Sequence, residues 1–305
     1  MNRKKQSVAL GLCACLLGGC SGEGFQVRQL LAGRESVVFE QSLYLPEYEF
    51  EKVRCDVEEG CYQVNTEMEA GLLIGNLIDS GVRKAAIVSE QDLDLDKVFM
   101  YALTISPVTF EAQYSQRQQI TGIRRTVFTL TVQDEQELQR SRSHARRVVS
   151  EVIDPAMEDW QKVQALHEWV VLNTAYDQQA PLLTMAQRKK NISFRAAGVF
   201  ERGMATCSGY MEAMHLLLNE AGVASLKVFS NTMDHAWNLV NVGGQMRYVD
   251  ATFDDPVPDE PGRVLTDSLL LSPAQLHQLG KYEFDASTST TLSEAELEAY
   301  FEFLF

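Results

Sequence analysis

Positive charge is scarce in this sequence of 305 residues, in which 27 Lys and Arg stand against 42 Asp and Glu and the formal net charge is −15. A nucleic-acid backbone is bound through clustered positive charge, so no nucleic-acid partner is expected. Beyond the N-terminal segment, the sequence also lacks an apolar run long enough to span a bilayer. The hydrophobic content of 45% nevertheless supplies a core, so we expect a globular protein of one large or two modest domains.

The N-terminal segment has the organisation of an export signal. A basic head at residues 3–5 precedes an apolar run of eleven residues, 7–17, which is too short to cross a bilayer. The run ends in Leu17-Gly18-Gly19-Cys20, which resembles a bacterial lipobox. We therefore predict removal of residues 1–19 and lipidation of Cys20, which would anchor an extracytoplasmic protein to a bacterial membrane. Ordinary secretion with cleavage nearby is the alternative.

Cysteine is also scarce, with 6 residues in the whole chain. Cys55 and Cys61 flank a short polar turn, which predicts a disulfide between them, with two unpaired thiols as the alternative. No metal site is predicted there, because no further Cys or His pair lies nearby to complete a tetrahedral set. This leaves Cys207 without a partner. A lone thiol in an oxidising compartment is either buried and inert or kept free for chemistry.

The chain divides into five predicted segments: a signal peptide (1–19), a tether (20–45), an N-terminal α+β domain (46–135), a second domain (136–280) and a C-terminal linker with a short helix (281–305). In the first domain, the pattern predicts helices at 67–80 and 94–103 and strands at 85–89 and 125–132. In the second domain, Asp154 followed by Pro155 predicts the start of a helix that runs to about residue 176.

The segment around Cys207 predicts a helix with the thiol in its first turn. Gly203 supports a tight turn, Thr206 is the expected cap, and Gly222 ends the helix. Unpaired backbone N–H groups and the positive end of the helix dipole would stabilise a thiolate, and also an oxyanion formed from a substrate carbonyl. The alternative is that Cys207, on the apolar face with Met211, is a small core residue.

The segment that follows predicts three strands at 226–230, 235–242 and 245–252, the last two joined by Gly243-Gly244. A two-residue turn makes His235 and Asp250 diagonal neighbours on one face of the hairpin, within hydrogen-bond reach through their side chains.

Asp254 shares the parity of Asp250 but lies beyond the predicted strand, so Asp250 is the predicted partner of His235. A nucleophile needs a base and the base needs an orienting group, so Cys207, His235 and Asp250 are the predicted catalytic residues. The other histidines lie in predicted helices, and none of them has a comparable group of residues around it: His144, His167, His215 and His277.

Three motifs resemble the transglutaminase-like superfamily: Gly203 to Tyr210, His235-Ala236-Trp237-Asn238, and Val249 to Asp255. The resemblance implies an α+β, papain-like core in which a helix bearing the Cys packs on an antiparallel sheet bearing the His and Asp. Here a smaller N-terminal α+β domain would precede that core. The family triad maps onto Cys207, His235 and Asp250. The upstream stretch from His167 to Asp177 extends the resemblance to about 154–255.

The predicted function is thiol acyl transfer at the peptide or carboxamide carbonyls of a protein or peptide substrate, cell-wall peptide being one candidate. Hydrolysis is slightly favoured over transamidation because water is always present. No cofactor or metal is predicted. Asn173 and Tyr176 are candidate oxyanion donors or structural groups, and Trp237 either lines the cleft or packs in the core. The competing class is a non-catalytic envelope adaptor or binding module built on a transglutaminase-like scaffold.

Overall fold

The computed structural model describes residues 35–39, 48–55, 57, 60–118 and 122–305. The predicted signal peptide, Cys20 and most of the predicted tether lie outside the described residues. Among the described helices, none is both long enough and apolar enough to cross a membrane.

The N-terminal part of the described chain contains a mixed sheet and two helices. In chain order its elements are β1 (Glu35–Val38), β2 (Glu49–Val53), β3 (Cys61–Gln63), α1 (Glu67–Asp79), β4 (Lys84–Ser89), α2 (Leu95–Ile105), β5 (Phe110–Gln118) and β6 (Arg124–Val132). Within the described residues these strands form a six-stranded sheet in the order β1-β2-β3-β4-β6-β5, antiparallel except between β3 and β4. The pattern did not predict β5, because it is largely polar and exposed at the sheet edge. Strand β5 forms because it pairs with β6 along its whole length.

The second part contains the helix and hairpin predicted to carry the chemistry. In chain order its elements are α3 (Glu135–Val152), α4 (Asp159–Asn173), β7 (Ala175–Tyr176), α5 (Met185–Arg188), β8 (Met204–Ala205), α6 (Cys207–Glu220), β9 (Ser225–Ser230), β10 (His235–Val242), β11 (Gln245–Val249), α7 (Pro273–Leu279) and α8 (Glu294–Leu304). Strands β9, β10 and β11 form an antiparallel sheet with β10 in the centre, and β7 pairs in parallel with β8. The α+β prediction is therefore confirmed.

The central strand β10 separates two hydrophobic cores. Val240 belongs to the core formed with α3, α4 and α6, whereas Trp237 and Leu239 belong to the core formed with the N-terminal sheet. Alternate residues of a strand point to opposite faces, so β10 contributes to both cores. Helix α8 also buries Tyr300 in the N-terminal core. The predicted domain division at residue 135 stays a prediction, and the N-terminal core extends across it.

Helix α4 begins later than Asp154 and ends earlier than residue 176. The predicted start at Asp154 is wrong because α3 continues to Val152 and the Asp154 side chain accepts a hydrogen bond from the backbone N–H of Ala156 at 2.8 Å, which forms a turn. The helix begins at Asp159, with Glu158 and Gln161 forming a capping box. It ends at Asn173, and the chain then extends into β7.

We expect Gly209→Ala to destabilise the protein by about 1–3 kcal/mol, because an added Cβ would lie 2.6 Å from the carbonyl oxygen of Ser193 and 3.0 Å from that of Arg195. Urea denaturation measures the change. Helix propensity alone predicts the opposite sign, since Ala is favoured over Gly by about 1 kcal/mol within a helix. A variant as stable as the wild type would therefore show that α6 does not pack this closely on residues 193–195.

Candidate active site

Cys207 lies at the first position of α6. Gly203 adopts a left-handed conformation with φ of 62°, which turns the chain into β8, and β8 leads directly into the helix. Thr206 occupies the cap position, but its hydroxyl donates to the buried carbonyl of Ser193 at 3.1 Å and makes no capping hydrogen bond. The predicted side-chain cap is therefore wrong. The backbone N–H groups of the first helical turn therefore remain available to donate hydrogen bonds to an oxygen atom from outside the helix.

The hairpin that carries His235 and Asp250 has the predicted register. Val242 pairs with Gln245 and Asn238 with Val249. Strand β11 ends at Val249 and not at residue 252, because the Asp250 N–H donates to the Ser268 carbonyl at 3.0 Å, away from the hairpin. Asp250 is therefore the first residue after the strand, and its side chain turns toward the start of β10.

The side chains of His235 and Asp250 form a nearly buried hydrogen bond. Nε2 of His235 lies 2.7 Å from Oδ2 of Asp250, and the two side chains are 7% and 2% exposed. The other oxygen of Asp250 accepts the backbone N–H groups of Thr252 and Phe253 at 3.0 and 3.1 Å. The hydroxyl of Tyr282, a residue that the sequence did not indicate, donates to Oδ2 at 3.1 Å. The carboxylate is held from both sides.

The sulfur of Cys207 reaches the same imidazole. The Cys207 side chain is close enough to His235 to raise the pKa of the imidazole, and its thiol contacts the carbonyl oxygen of Asp234 at 3.9 Å. Because Nε2 of His235 is occupied by Asp250, Nδ1 is the nitrogen left for the sulfur. Cys207 is buried, with 8% of its surface exposed.

The charge state of His235 follows from these contacts. Burial lowers its pKa, but the hydrogen bonds to Asp250 and Cys207, together with their negative charges, outweigh burial and raise the pKa from 6.5 to about 9. The imidazole is therefore protonated at neutral pH.

Two aromatic rings enclose the imidazole. Phe253 stacks on His235 with ring centroids 4.3 Å apart, and Trp237 stacks on it at 5.7 Å. Trp237 is 1% exposed and lies in the core, so of its two predicted roles the structure displays packing. Phe253 is 36% exposed and is the ring on the solvent side. Nothing in the sequence pattern indicated Phe253 as a site residue, although it lies within the motif that contains Asp250.

The two candidate oxyanion donors lie in different surroundings. The Asn173 side chain is exposed and donates to the carbonyl of Trp169 at 2.7 Å. It therefore provides a hydrogen-bond donor for a backbone carbonyl near the end of α4. Tyr176 is half-buried in β7, whose partner strand β8 leads into Cys207. Burial, and then the negative charges of Cys207 and Asp234, raise the pKa of Tyr176 to about 12. Tyr176 is therefore a neutral phenol in the neighbourhood of the sulfur.

His167 has a partner that the sequence did not reveal. Its Nε2 lies 3.1 Å from Oδ2 of Asp254, and both side chains are fully buried. The sequence pattern did not indicate this carboxylate partner, which the turn after β11 brings onto α4. The N–H of Ser268 donates to both oxygens of Asp254, and Tyr210 of α6 donates to Asp255. This second pair joins the turn to both helices, away from the thiol.

The remaining predicted residues lie outside this site. Cys55 and Cys61 are joined by a disulfide between the end of β2 and the start of β3, with Cα atoms 6.0 Å apart. Cys207 is the free cysteine among those that the structure describes. In the same described ranges, no group of three or more His, Cys, Asp or Glu side chains could hold a metal ion.

Residues 146–251, which include Cys207, His235 and Asp250, match the family model of the transglutaminase-like superfamily. The kyphoscoliosis peptidase of Mus musculus is 26% identical over 132 residues, and that of Homo sapiens is 26% identical over 133 residues. Each match covers 39% of this chain but only 19% of the relative, about a fifth of its length. A crystal structure of a TGase aligns over 70% of this chain and 62% of that chain, with 16% identity and a TM-score of 0.38. The predicted family resemblance is confirmed.

We expect Asp250→Asn to lower the pKa of His235 from about 9 toward 6.5, because the variant loses a charged hydrogen-bond acceptor. A titration of the imidazole by NMR measures it. Since the folded-state pKa lies above the ordinary value, protonation of His235 stabilises the fold fully below about pH 6.5, and this stabilisation is lost as the pH rises through about 9. The stability difference between the wild type and the variant should therefore be larger at about pH 6 than at about pH 10. A pH-independent difference would contradict the prediction.

Proposed function

We propose that this chain, whose residues 146–251 form a transglutaminase-like domain, is a thiol acyl-transfer enzyme acting on peptide or carboxamide carbonyls. One observation carries the proposal: the imidazole of His235, 2.7 Å from the carboxylate of Asp250, is also influenced directly by the side chain of Cys207. A nucleophile, a base and an orienting acid in that order are the parts that acyl transfer requires.

In the first half of the proposed reaction, the thiolate of Cys207 attacks the carbonyl carbon and the carbonyl π electrons move onto oxygen. The N–H groups at the start of α6 stabilise this oxyanion, because the Thr206 side chain does not occupy them. The tetrahedral intermediate then expels the amine, which takes its proton from the imidazolium of His235. The product of this half is a thioester on Cys207.

In the second half, neutral His235 removes a proton from water or from an amine, which attacks the thioester carbonyl. The sulfur leaves as a thiolate, and the imidazolium forms again beside Asp250. Attack by water completes hydrolysis, and attack by an amine completes transamidation. Hydrolysis is the favoured outcome, because water is abundant and small enough for a thiol that is only 8% exposed. The curated relatives are also named peptidases.

The proposal includes the location of the enzyme. Removal of residues 1–19 and lipidation of Cys20 would anchor it to a membrane on the extracytoplasmic side, where it would meet protein or peptide substrates. The disulfide between Cys55 and Cys61 supports this location, because such bonds persist in oxidising compartments.

We expect a burst of acyl-enzyme when the protein is mixed with an activated acyl ester, since thioester formation precedes its breakdown. Intact-protein mass spectrometry should locate the added acyl group on Cys207. The burst should be absent in Cys207→Ala and strongly reduced in His235→Ala. His144→Ala is the matched control, because His144 is a partly buried residue of α3 whose ring contacts Phe200 and Arg147, and it should retain the burst. An undiminished burst in Cys207→Ala would refute the proposal, as would failure of iodoacetamide to alkylate Cys207 in the folded protein at neutral pH.

We also expect kcat/KM for the ester to fall as the pH rises through about 9, because the imidazolium of His235 loses its proton there. Steady-state rates measured across this range test the prediction. A rate that rises through about pH 9 would show that hydroxide attack, and not the protonated imidazole, drives the reaction.

A further inference from the structure

Tyr282 lies 31 residues beyond the end of the family match at residue 251, yet its side chain reaches the site. Its hydroxyl donates to Oδ2 of Asp250 at 3.1 Å. This is the same oxygen that lies 2.7 Å from Nε2 of His235. The segment after the transglutaminase-like match therefore contributes a direct contact to the acid that orients the imidazole.

The contact completes the hydrogen bonding of the Asp250 carboxylate. Oδ1 accepts two backbone N–H groups, those of Thr252 and Phe253, and Oδ2 accepts the imidazole and the phenol. A carboxylate with two acceptor sites filled on each oxygen has little freedom to rotate. Without the phenol, Oδ2 would be held by His235 alone.

The polypeptide around Tyr282 is fixed on both sides. Lys281, the residue before Tyr282, donates to the hydroxyl of Ser268 at 2.7 Å. Downstream, Asp285 accepts the backbone N–H groups of Asn231 and Thr232 at 2.8 and 2.9 Å, in the turn just before β10. The phenol is thus anchored to the turn that precedes the imidazole strand as well as to the segment after β11.

Packing fixes the orientation of the Tyr282 ring. It contacts Trp237 at a centroid distance of 5.3 Å and Phe253 at 5.6 Å, the two rings that enclose His235. Phe284, two residues further on, packs on Trp237 at 5.5 Å. A ring held in this way keeps its hydroxyl directed at one oxygen, so the hydrogen bond costs little further conformational entropy on each turnover.

We propose that Tyr282 is a positioning residue for the reaction: its hydroxyl holds the carboxylate of Asp250 in the orientation that directs His235 toward Cys207. This inference rests on the proposed function. It assigns to the C-terminal segment a role in the chemistry that the residues of the transglutaminase-like match do not supply.

The hydroxyl remains a donor at all working pH values. Burial, and then the charge of Asp250, raise the pKa of Tyr282 above its ordinary value, so the phenol stays protonated. By donating to Oδ2 it withdraws part of the negative charge that would otherwise act on the imidazolium. Removing the hydroxyl should therefore strengthen the attraction of Asp250 for protonated His235 and make that proton harder to transfer.

Several titratable or charged groups face this imidazole. Cys207 on α6 and Asp250 after β11 contact it directly. Lys281 lies 4.8 Å from the centre of the Phe253 ring, the same ring that stacks on this imidazole. Asp234, which precedes the imidazole in the chain, lies 3.6 Å from Arg188 of α5. A Tyr282→Phe substitution leaves all of these groups in place, so a change in the His235 titration reports the lost phenol.

The test compares Tyr282→Phe with Tyr300→Phe in the full chain. Tyr300 is fully buried in α8, and its hydroxyl has no hydrogen-bond partner among the described residues, so the control removes the same atom away from Asp250. The pKa of His235 is measured by NMR of the 13C-labelled imidazole, with His235→Gln used to assign its signal. The kcat and KM for the activated ester are measured on the same samples.

In Tyr282→Phe we expect the pKa of His235 to rise by about half a unit, a fraction of the roughly 1–3 units that a neighbouring charge produces. We expect kcat to fall about tenfold while KM changes little. This loss of kcat is a small part of the roughly 10²–10⁴-fold rate increase that general acid–base proton transfer contributes. Tyr300→Phe should match the wild type in both measurements.

Three results would overturn the inference in distinguishable ways. If wild-type His235 titrates near 9 and Cys207 forms the acyl-enzyme, but Tyr282→Phe changes neither the pKa nor kcat, the positioning role is wrong and the proposed function stands. If wild-type His235 titrates near 6.5 and no acyl-enzyme forms, the proposed function fails and the role of Tyr282 fails with it. Equal losses of kcat in both Tyr variants would show a merely structural role and also overturn it.

Discussion

The hydrogen bond between the carboxylate of Asp250 and the imidazole of His235, 2.7 Å long and almost entirely removed from water, constrains every other part of the site. It occupies Nε2, so Nδ1 is left for the sulfur of Cys207. It also offsets the burial that would otherwise keep His235 neutral. A buried carboxylate is unfavourable unless its oxygens are paired, which explains why two backbone N–H groups and a phenol also converge on Asp250.

The segment from Asp250 to Asp255 connects this bond to the rest of the fold. Asp254 contacts His167 of α4, and Asp255 contacts Tyr210 of α6, one turn after the thiol. The same short segment therefore contains the acid and contacts both α4 and α6, the helix that carries the sulfur. Chemistry of this kind depends on sub-ångström placement of the reacting groups, and a turn that contacts all the contributing elements provides it.

The sequence predicted the local geometry well where short-range pairing decides it. The glycine turn determined the hairpin register and hence the relation of His235 to Asp250, and the pattern around Cys207 predicted a helix start. Partners that are distant in the chain were not predicted. The Thr206 side chain makes no capping hydrogen bond in α6, because the Ser193 carbonyl accepts its hydroxyl, and a later turn brings Asp254 to His167.

By itself, then, the sequence predicted the α+β class, the resemblance to the transglutaminase-like superfamily that residues 146–251 match, and a candidate thiol, imidazole and carboxylate, because helix caps, strand alternation and tight turns depend on residues close together in the chain. Only the tertiary structure decided what surrounds them. Phe253 stacks on the imidazole, and Tyr282 reaches Asp250 from 32 residues away in the chain. Such contacts are set by how whole elements pack against one another, and no local pattern in the sequence encodes them.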